Sequence, residues 1–291
     1  MTAPVPLPPF PHEALDRLLP LAFEEDEGSG DLTTLATIPE SMDGVAVLSA
    51  KEPGVVAGLP AVERIFGYRG SVPRIVLHRK DGDEVAAGDA VLTLEGSLRS
   101  LLTCERIVLN VLQRMSGIAT AARAHVRALE GSRTRLLDTR KTVPGWRALD
   151  KYAVAGGGGA NHRHGLFDQV LIKDNHAAAC GSIRAAVDKV DTAYRGAHPV
   201  EAEVRALDEL KTLLDSAVDI VLLDNMDDAT LIAAVALVRA EAPSIKLEAS
   251  GNMTLERLRR IKDIGLDYVS VGALTHSVRA LDLSLNITGR P

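Results

Sequence analysis

PVEAEVRALDELKTLLDSAVDIVLLDNMDDATLIAAVALVRAEAPSIKLEASGNMTLERLRRIKDIGLDYVSVG, residues 199–272, repeats one pattern. Short apolar runs at 199–204, 219–224, 245–249 and 267–271 alternate with segments of helical periodicity. Strands spaced about 20 to 30 residues apart leave room for a crossover helix between neighbours, so they pair in parallel. Two earlier runs, 134–138 and 169–172, bring the number of strands to six. An open sheet and a (β/α) barrel both fit this alternation. The residues that close the strands favour the barrel: Arg140-Lys141, Lys173, Glu203, Asp224, Ser250 and Gly272. Polar groups at successive C-terminal strand ends converge on one mouth only when the sheet curls. Six strands are fewer than a full barrel needs, so the expected class is α/β with an irregular, incomplete (β/α) barrel.

Upstream the period changes. Residues 41–98 alternate apolar and polar positions in short runs broken by Gly, Asp and Pro, the pattern of antiparallel strands. Within it, DGDEVAAGDAVLTLEG (81–96) has the look of a carrier-domain hairpin but lacks the lysine that would be modified, so it is read as scaffold. From 103 to 129 apolar residues recur at i, i+3, i+4 and i+7, giving one long helix or two abutting ones, with Ser116-Gly117 as the weak point. The expected division is therefore an N-terminal domain over 1–117 and a barrel over 118–277, with the tail 278–291 packing back on the N-terminal part.

Charge is distributed unevenly. The chain of 291 residues has a formal net charge of −6, yet 133–173 holds eight Lys/Arg against three acids. A basic pocket in an acidic protein suits a small polyanion; nucleic acid would call for a broad basic face. The Pro-rich N-terminus lacks the basic and apolar regions of a signal peptide, and no apolar stretch reaches the roughly 18 residues of a membrane span. A cytoplasmic location is expected. Cys104 and Cys180 lack CxxC spacing, which argues against zinc or a disulfide framework and for small buried hydrophobes.

GSGDLTT (28–34), CERIVLNVLQRMSGIAT (104–120), DTRKTVPGWR (138–147), GGGGANHRHGL (156–166), IKDNH (172–176), EAEV (201–204), LLDN (222–225), EASGN (248–252) and SVGALTHS (270–277) occur in this order along nearly the whole chain. In these motifs the sequence resembles the quinolinate phosphoribosyltransferases, type II phosphoribosyltransferases. The resemblance implies an N-terminal open-faced α/β sandwich, an irregular α/β barrel and a homodimer or higher homo-oligomer. It also implies an enzyme of NAD biosynthesis that converts quinolinate and phosphoribosyl pyrophosphate, with Mg²⁺ as cofactor, to nicotinate mononucleotide, pyrophosphate and CO₂. One departure is Trp146, where a smaller residue is common in the family; its ring would either narrow the site or pack beneath the loop.

The residue types suit that chemistry. Quinolinate bears adjacent carboxylates, and the planar fork of arginine matches a carboxylate bidentately, which selects Arg140 and Arg163. By motif position Arg106 is the arginine that the family supplies across the subunit interface; read alone, it is an exposed residue of an amphipathic helix. Lys141 and Lys173 take places beside carboxylates and phosphates, or else are solvated loop residues. His162, next to Arg163, is assigned to substrate on the motif, although a lone histidine is more often structural; His164 is given no role. The run Gly156 to Gly159 is either a lid or a close approach of backbone to helix. Glu203 and Asp224 are assigned to ribose hydroxyls and to Mg²⁺, directly or through water, with an N-cap of the following helix as the alternative for Asp224. Glu201 is left out as facing away from Glu203. Ser250, Gly251, Asn252 and Gly272 stand where strand passes to helix and backbone N–H groups can receive the 5′-phosphate, with His276 nearby; ordinary turn chemistry would use the same residues.

Overall fold

The computed structural model describes residues 6–190 and 192–289, with the side chain of Ala193 left aside. Twelve strands are present among the described residues. β1 (Asp43–Ala50), β2 (Gly54–Val55), β3 (Arg74–Leu77), β4 (Glu84–Val85) and β5 (Ala90–Ser97) lie in the N-terminal part. β6 (Arg135–Leu137), β7 (Val170–Ile172), β8 (Val200–Val204), β9 (Ile220–Asp224), β10 (Lys246–Ser250) and β11 (Tyr268–Ser270) follow, and β12 (Leu283–Gly289) is the last of them. By compactness the chain divides into two units. Of the described residues, one gathers 6–123, 142–158 and 273–289; the other holds 124–141 and 159–272. The division expected at 117 falls inside a helix.

In the first unit an antiparallel sheet runs in the order β12-β1-β5-β3. β1 reads eBiBiBiB in burial, so Ala46, Leu48 and Ala50 point inward, as period two requires. The C-terminal tail contributes the edge strand: β12 pairs antiparallel with β1, Leu48 opposite Leu285. A helix, Pro60–Tyr68, interrupts the stretch read as strands only; it buries Ala61, Val62, Ile65 and Phe66, a helical period over too few residues to stand out between strand signals.

The helix Leu98–Ala128 is continuous. Leu101, Cys104, Val108, Leu112, Met115, Ile118 and Ala122 are all buried along one stripe, and burying each large apolar side chain contributes about 1.5–3 kcal/mol. Ser116-Gly117 does not break it. The Ser116 hydroxyl accepts the N–H of Ala57 at 3.1 Å, and the carbonyl oxygen of Arg279 lies 2.2 Å from where a Cβ on Gly117 would sit. The small pair is a docking point for two other segments. The glycine run serves the same end: a Cβ on Gly157 would meet Ala119 O at 2.4 Å, and Arg123 Nε donates to Gly157 O at 3.0 Å. Of the two readings for that run, close approach of backbone to helix is the one seen. Trp146 packs under the guanidinium of Arg114, 5.6 Å from the ring centroid.

The second unit is the irregular barrel. Its six strands are all parallel, in the order β6-β11-β10-β9-β8-β7. All six expected strands are present within two residues of their apolar runs. Among the described residues no backbone ladder joins β7 back to β6, so the barrel is incomplete. Ala160 extends the β6 edge by bridging Leu137. The crossover helices begin where small polar residues cap them: Asp227 accepts the Thr230 N–H at 2.7 Å and Thr254 accepts that of Arg257 at 3.2 Å. Asp224 is therefore not a cap and is left for the barrel mouth. Cys104 is buried and its thiol is pushed up to about 12 by that burial; Cys180 is half-buried and neither is in a disulfide.

Candidate active site

Every barrel strand delivers its C-terminal end to the same side because all are parallel. At the end of β6, Asp138 is buried and accepts the Asn161 side-chain amide at 2.7 Å and the His162 N–H at 2.8 Å. Ala160 N donates to Leu136 O at 2.8 Å, so the returning chain lies along β6 and sets His162 and Arg163 beside the strand end. Arg140 and Arg163 are both half-buried and close enough to repel: burial first, then the charge of Arg140, depresses the pKa of Arg163. Among the described residues the Arg163 guanidinium has one hydrogen bond, Nη1 to Gln169 O at 3.2 Å. Lys141 is exposed on the loop after Arg140, its N–H held by Thr139 Oγ1 at 3.0 Å.

Inside the barrel His162 meets two glutamates that sequence reading passed over. Its Nε2 lies 3.2 Å from Glu201 Oε2 and 3.6 Å from Glu248 Oε2, and Nδ1 accepts the N–H of Arg163 at 2.7 Å. Glu201 also takes the side-chain amide of Gln169 at 2.7 Å. Both carboxyls are buried, and burial, then the charge of Glu201, raises Glu248 to about 8. The exclusion of Glu201 is thus corrected. Residues two apart on a strand share a face, so Glu201 and Glu203 both point into the barrel. Spacing was the available signal: Glu248 likewise stands two before Ser250, within EASGN.

The acids expected to hold ribose and metal form a second cluster. Lys173 Nζ donates to Glu203 Oε2 at 2.9 Å. Arg205, unremarked in the sequence, stands 3.5 Å from both Glu203 and Asp224 and donates to Asp174 at 3.0 Å. Beside it opens a cavity of about 550 Å³ lined by Asp174, Ser182, Arg184, Glu203, Arg205 and Asp208. Glu203 and Asp224 already share one cation, and their hard oxygen donors fit Mg²⁺.

Ser250, Gly251 and Asn252 form a tight loop at the end of β10. Gly251 has φ +92°, and a Cβ there would fall 2.0 Å from Asn225 Oδ1. Asn225 and Asn252 are themselves left-handed, at φ 54° and 50°. Asn225 N donates to Ser250 O at 3.0 Å, and Arg257 ties the two loops by donating to Gly251 O at 2.8 Å and to Met226 O. Gly272 follows β11 one residue after Val271, whose N–H goes to Leu137 O at 3.0 Å. Arg106 and His276 belong to the other compact unit. Arg106 is exposed on its helix, and His276 is exposed with Nδ1 2.8 Å from Ser277 Oγ.

Eleven of the residues selected in the sequence, Arg140, Lys141, His162, Arg163, Lys173, Glu203, Asp224, Ser250, Gly251, Asn252 and Gly272, therefore lie at strand ends or adjoining loops of one barrel. The model of the quinolinate phosphoribosyl transferase C-terminal domain matches residues 118–286 and that of the N-terminal domain matches 31–116. The chain belongs to the quinolinate phosphoribosyltransferase family. It is 42% identical to the probable nicotinate-nucleotide pyrophosphorylase [carboxylating] of Bacillus subtilis strain 168, over 95% of this chain and 94% of the relative. To the nicotinate-nucleotide pyrophosphorylase [carboxylating] of Mycobacterium leprae it is 43% identical, over 91% and 94%. The crystal structure of NadC from Streptococcus pyogenes superposes with a TM-score of 0.89 at 40% identity, covering 95% of this chain and 97% of that one. This family's N- and C-terminal domains account for the antiparallel sheet and the parallel barrel. No helix among the described residues is long and apolar enough to cross a membrane.

Proposed function

We infer that this protein is a decarboxylating quinolinate phosphoribosyltransferase of NAD biosynthesis, converting quinolinate and phosphoribosyl pyrophosphate to nicotinate mononucleotide, pyrophosphate and CO₂. The observation that carries the substrate assignment is Arg163. It is a half-buried guanidinium beside a second one, with a single neutral acceptor and no salt bridge among the described residues. A carboxylate at that place would relieve both the burial and the repulsion. Quinolinate offers two adjacent carboxylates, one for Arg163 and one for Arg140.

Lys141 and Lys173 lie beside the substrate carboxylates and phosphates, and His162 positions the arginine next to it. Ser250, Gly251, Asn252 and Gly272 offer backbone N–H groups to the 5′-phosphate, joined by His276 on motif position. Glu203 and Asp224 hold the ribose hydroxyls and offset the positive charge that develops at the anomeric carbon as the pyridine nitrogen attacks. The same two carboxylates would hold Mg²⁺, which when bound neutralises charge on the departing pyrophosphate. Arg106 completes the substrate site from the neighbouring subunit of a homodimer or higher homo-oligomer, and the enzyme works in the cytoplasm. Once the ring nitrogen is cationic, CO₂ departs from the adjacent carbon, the electron pair left on that carbon is stabilised by the positive nitrogen beside it, and a proton from solvent then forms the C–H bond of nicotinate mononucleotide. The protein supplies orientation and partial exclusion of water.

The test is direct. Purified protein is mixed with quinolinate, phosphoribosyl pyrophosphate and Mg²⁺, with nicotinate in a parallel reaction. Equal amounts of nicotinate mononucleotide and CO₂ from quinolinate alone are expected. Turnover of nicotinate in place of quinolinate would show that the second carboxylate is not recognised and overturn the assignment.

A further inference from the structure

β8 ends at Val204 and the chain turns into the helix Leu207–Lys211, with Arg205 at the turn. The backbone N–H of Arg205 donates to Glu209 Oε2 at 2.7 Å, which fixes where the side chain starts. The guanidinium then meets the ends of three neighbouring strands. Its Nη2 donates to Asp174 Oδ2, just past β7, at 3.0 Å and lies 3.5 Å from Glu203 Oε1 on β8. Its Nε lies 3.5 Å from Asp224 Oδ2 on β9. A separate nitrogen thus faces each of the two carboxylates assigned to the metal. Among the described residues Lys173 reaches only Glu203 of that pair, through the other oxygen, Oε2, at 2.9 Å. Asn225 Nδ2 donates to Asp224 at 3.0 Å but is neutral. Arg205 is therefore the one cation among the described residues that bridges Glu203 and Asp224.

A divalent cation and a guanidinium make the same demand on a carboxylate, since each offsets its charge and takes up its oxygen lone pairs. Three observations make Arg205 a partner that can yield. Its side chain is 58% exposed, so its hold on Glu203 and Asp224 is screened and weak. Its hydrogen bond goes to Asp174, which lies outside the pair and keeps the guanidinium nearby when the other two contacts are given up. The cavity beside it, lined also by Asp208 and Glu209, offers both room and negative charge to a guanidinium that withdraws. We propose that Arg205 competes with the divalent metal for Glu203 and Asp224, so that metal binds the protein only as the guanidinium releases both carboxylates. The proposal rests on the reading of these two acids as the metal-binding pair.

The experiment titrates the full-length protein with Mn²⁺ as the probe, without substrate, and reads free Mn²⁺ by electron paramagnetic resonance. Arg205→Ala is expected to bind Mn²⁺ about fivefold more tightly than wild type, the scale of two exposed ion pairs. Arg205→Lys should also bind more tightly than wild type, because an ammonium is a single point charge and does not span two carboxylates as the planar guanidinium does. Arg184→Ala removes a cation from the wall of the same cavity, one engaged by Asp188 and Asp215, and should leave the affinity at its wild-type value. Unchanged or weaker affinity in Arg205→Ala, or no Mn²⁺ bound by either it or the wild type, would overturn the proposal. Wild-type affinity in Arg205→Lys, or a gain in Arg184→Ala equal to that in Arg205→Ala, would show charge acting through space and overturn it as well. Glu203→Gln and Asp224→Asn separate the proposal from the reading beneath it. If both lose Mn²⁺ while Arg205→Ala gains nothing, competition fails and the metal reading stands; if both bind Mn²⁺ as before, the metal reading and the proposal fall together.

Discussion

Arg163 donates to the backbone carbonyl oxygen of Gln169 at 3.2 Å, and among the described residues that neutral oxygen is the one hydrogen-bond acceptor its guanidinium has. A cation held by a neutral group and depressed first by burial and then by a neighbouring cation is poised for an anion. The stabilisation it offers a substrate carboxylate is that of a charged hydrogen bond, about 1.5–3 kcal/mol.

Arg163→Ala is therefore expected to lower kcat/KM for quinolinate roughly 10- to 200-fold. Arg163→Lys should recover little of it, because an ammonium cannot form the paired bonds of the planar fork. Steady-state kinetics at saturating phosphoribosyl pyrophosphate measures both; wild-type values in either variant would take Arg163 out of the site.

The buried Glu248 makes stability depend on pH. Its folded pKa, about 8, lies above the ordinary 4.5, so the folded state holds a proton that the unfolded chain releases. Stability is then fullest below the ordinary value and falls as pH rises toward about 8. Glu248→Gln lacks this slope. Between pH 5 and pH 9 the wild-type Tm should fall more steeply than that of Glu248→Gln; parallel curves would show that Glu248 is ionised in the fold.

Gly251→Ala should loosen the loop assigned to the ribose 5′-phosphate. A Cβ at φ +92° is strained, and it would lie 2.0 Å from Asn225 Oδ1 and 3.1 Å from Asn225 Cα. The KM for phosphoribosyl pyrophosphate is expected to rise at least tenfold with that for quinolinate little changed. A change confined to quinolinate would assign the loop elsewhere.

Asp150 is buried and accepts a bidentate pair of bonds from Arg114, at 3.0 and 2.8 Å. Removing Arg114 strips a buried carboxylate of this partner, which typically costs about 3–5 kcal/mol. Arg114→Ala should show a corresponding loss in urea denaturation; a change under about 1 kcal/mol would mean that the ion pair is replaceable.

Arg106 supplies a test of assembly. If it acts in the neighbouring subunit's site, then inactive Arg106→Ala mixed with inactive Glu203→Ala should regain part of the activity after subunit exchange, since some shared sites receive both intact residues. Mixtures that stay inactive would confine Arg106 to its own subunit.

The strands, their parallel sense and the residues that close them were legible because each is local: an apolar run, a helical gap and a polar terminus lie within about 25 residues. Arg140, Lys173, Glu203 and Asp224 could be named for that reason. Other features depended on neighbours. Ser116-Gly117 carries the local signature of a break, yet the Ser116 hydroxyl and the room left by Gly117 admit residues 57 and 279, and the helix passes through unbroken. The helix Pro60–Tyr68 was hidden by its shortness between strands.

By itself the sequence determined the six-strand barrel, the family and most of the residues at the barrel mouth, because periodicity and motif order are properties of the chain alone. Only the tertiary structure joined His162, Glu201 and Glu248, which stand on a loop and two separate strands. It also buried Glu248 beside Glu201, which raises the Glu248 carboxyl to about 8, because that depends on a shared burial that the spacing of residues along the chain does not carry.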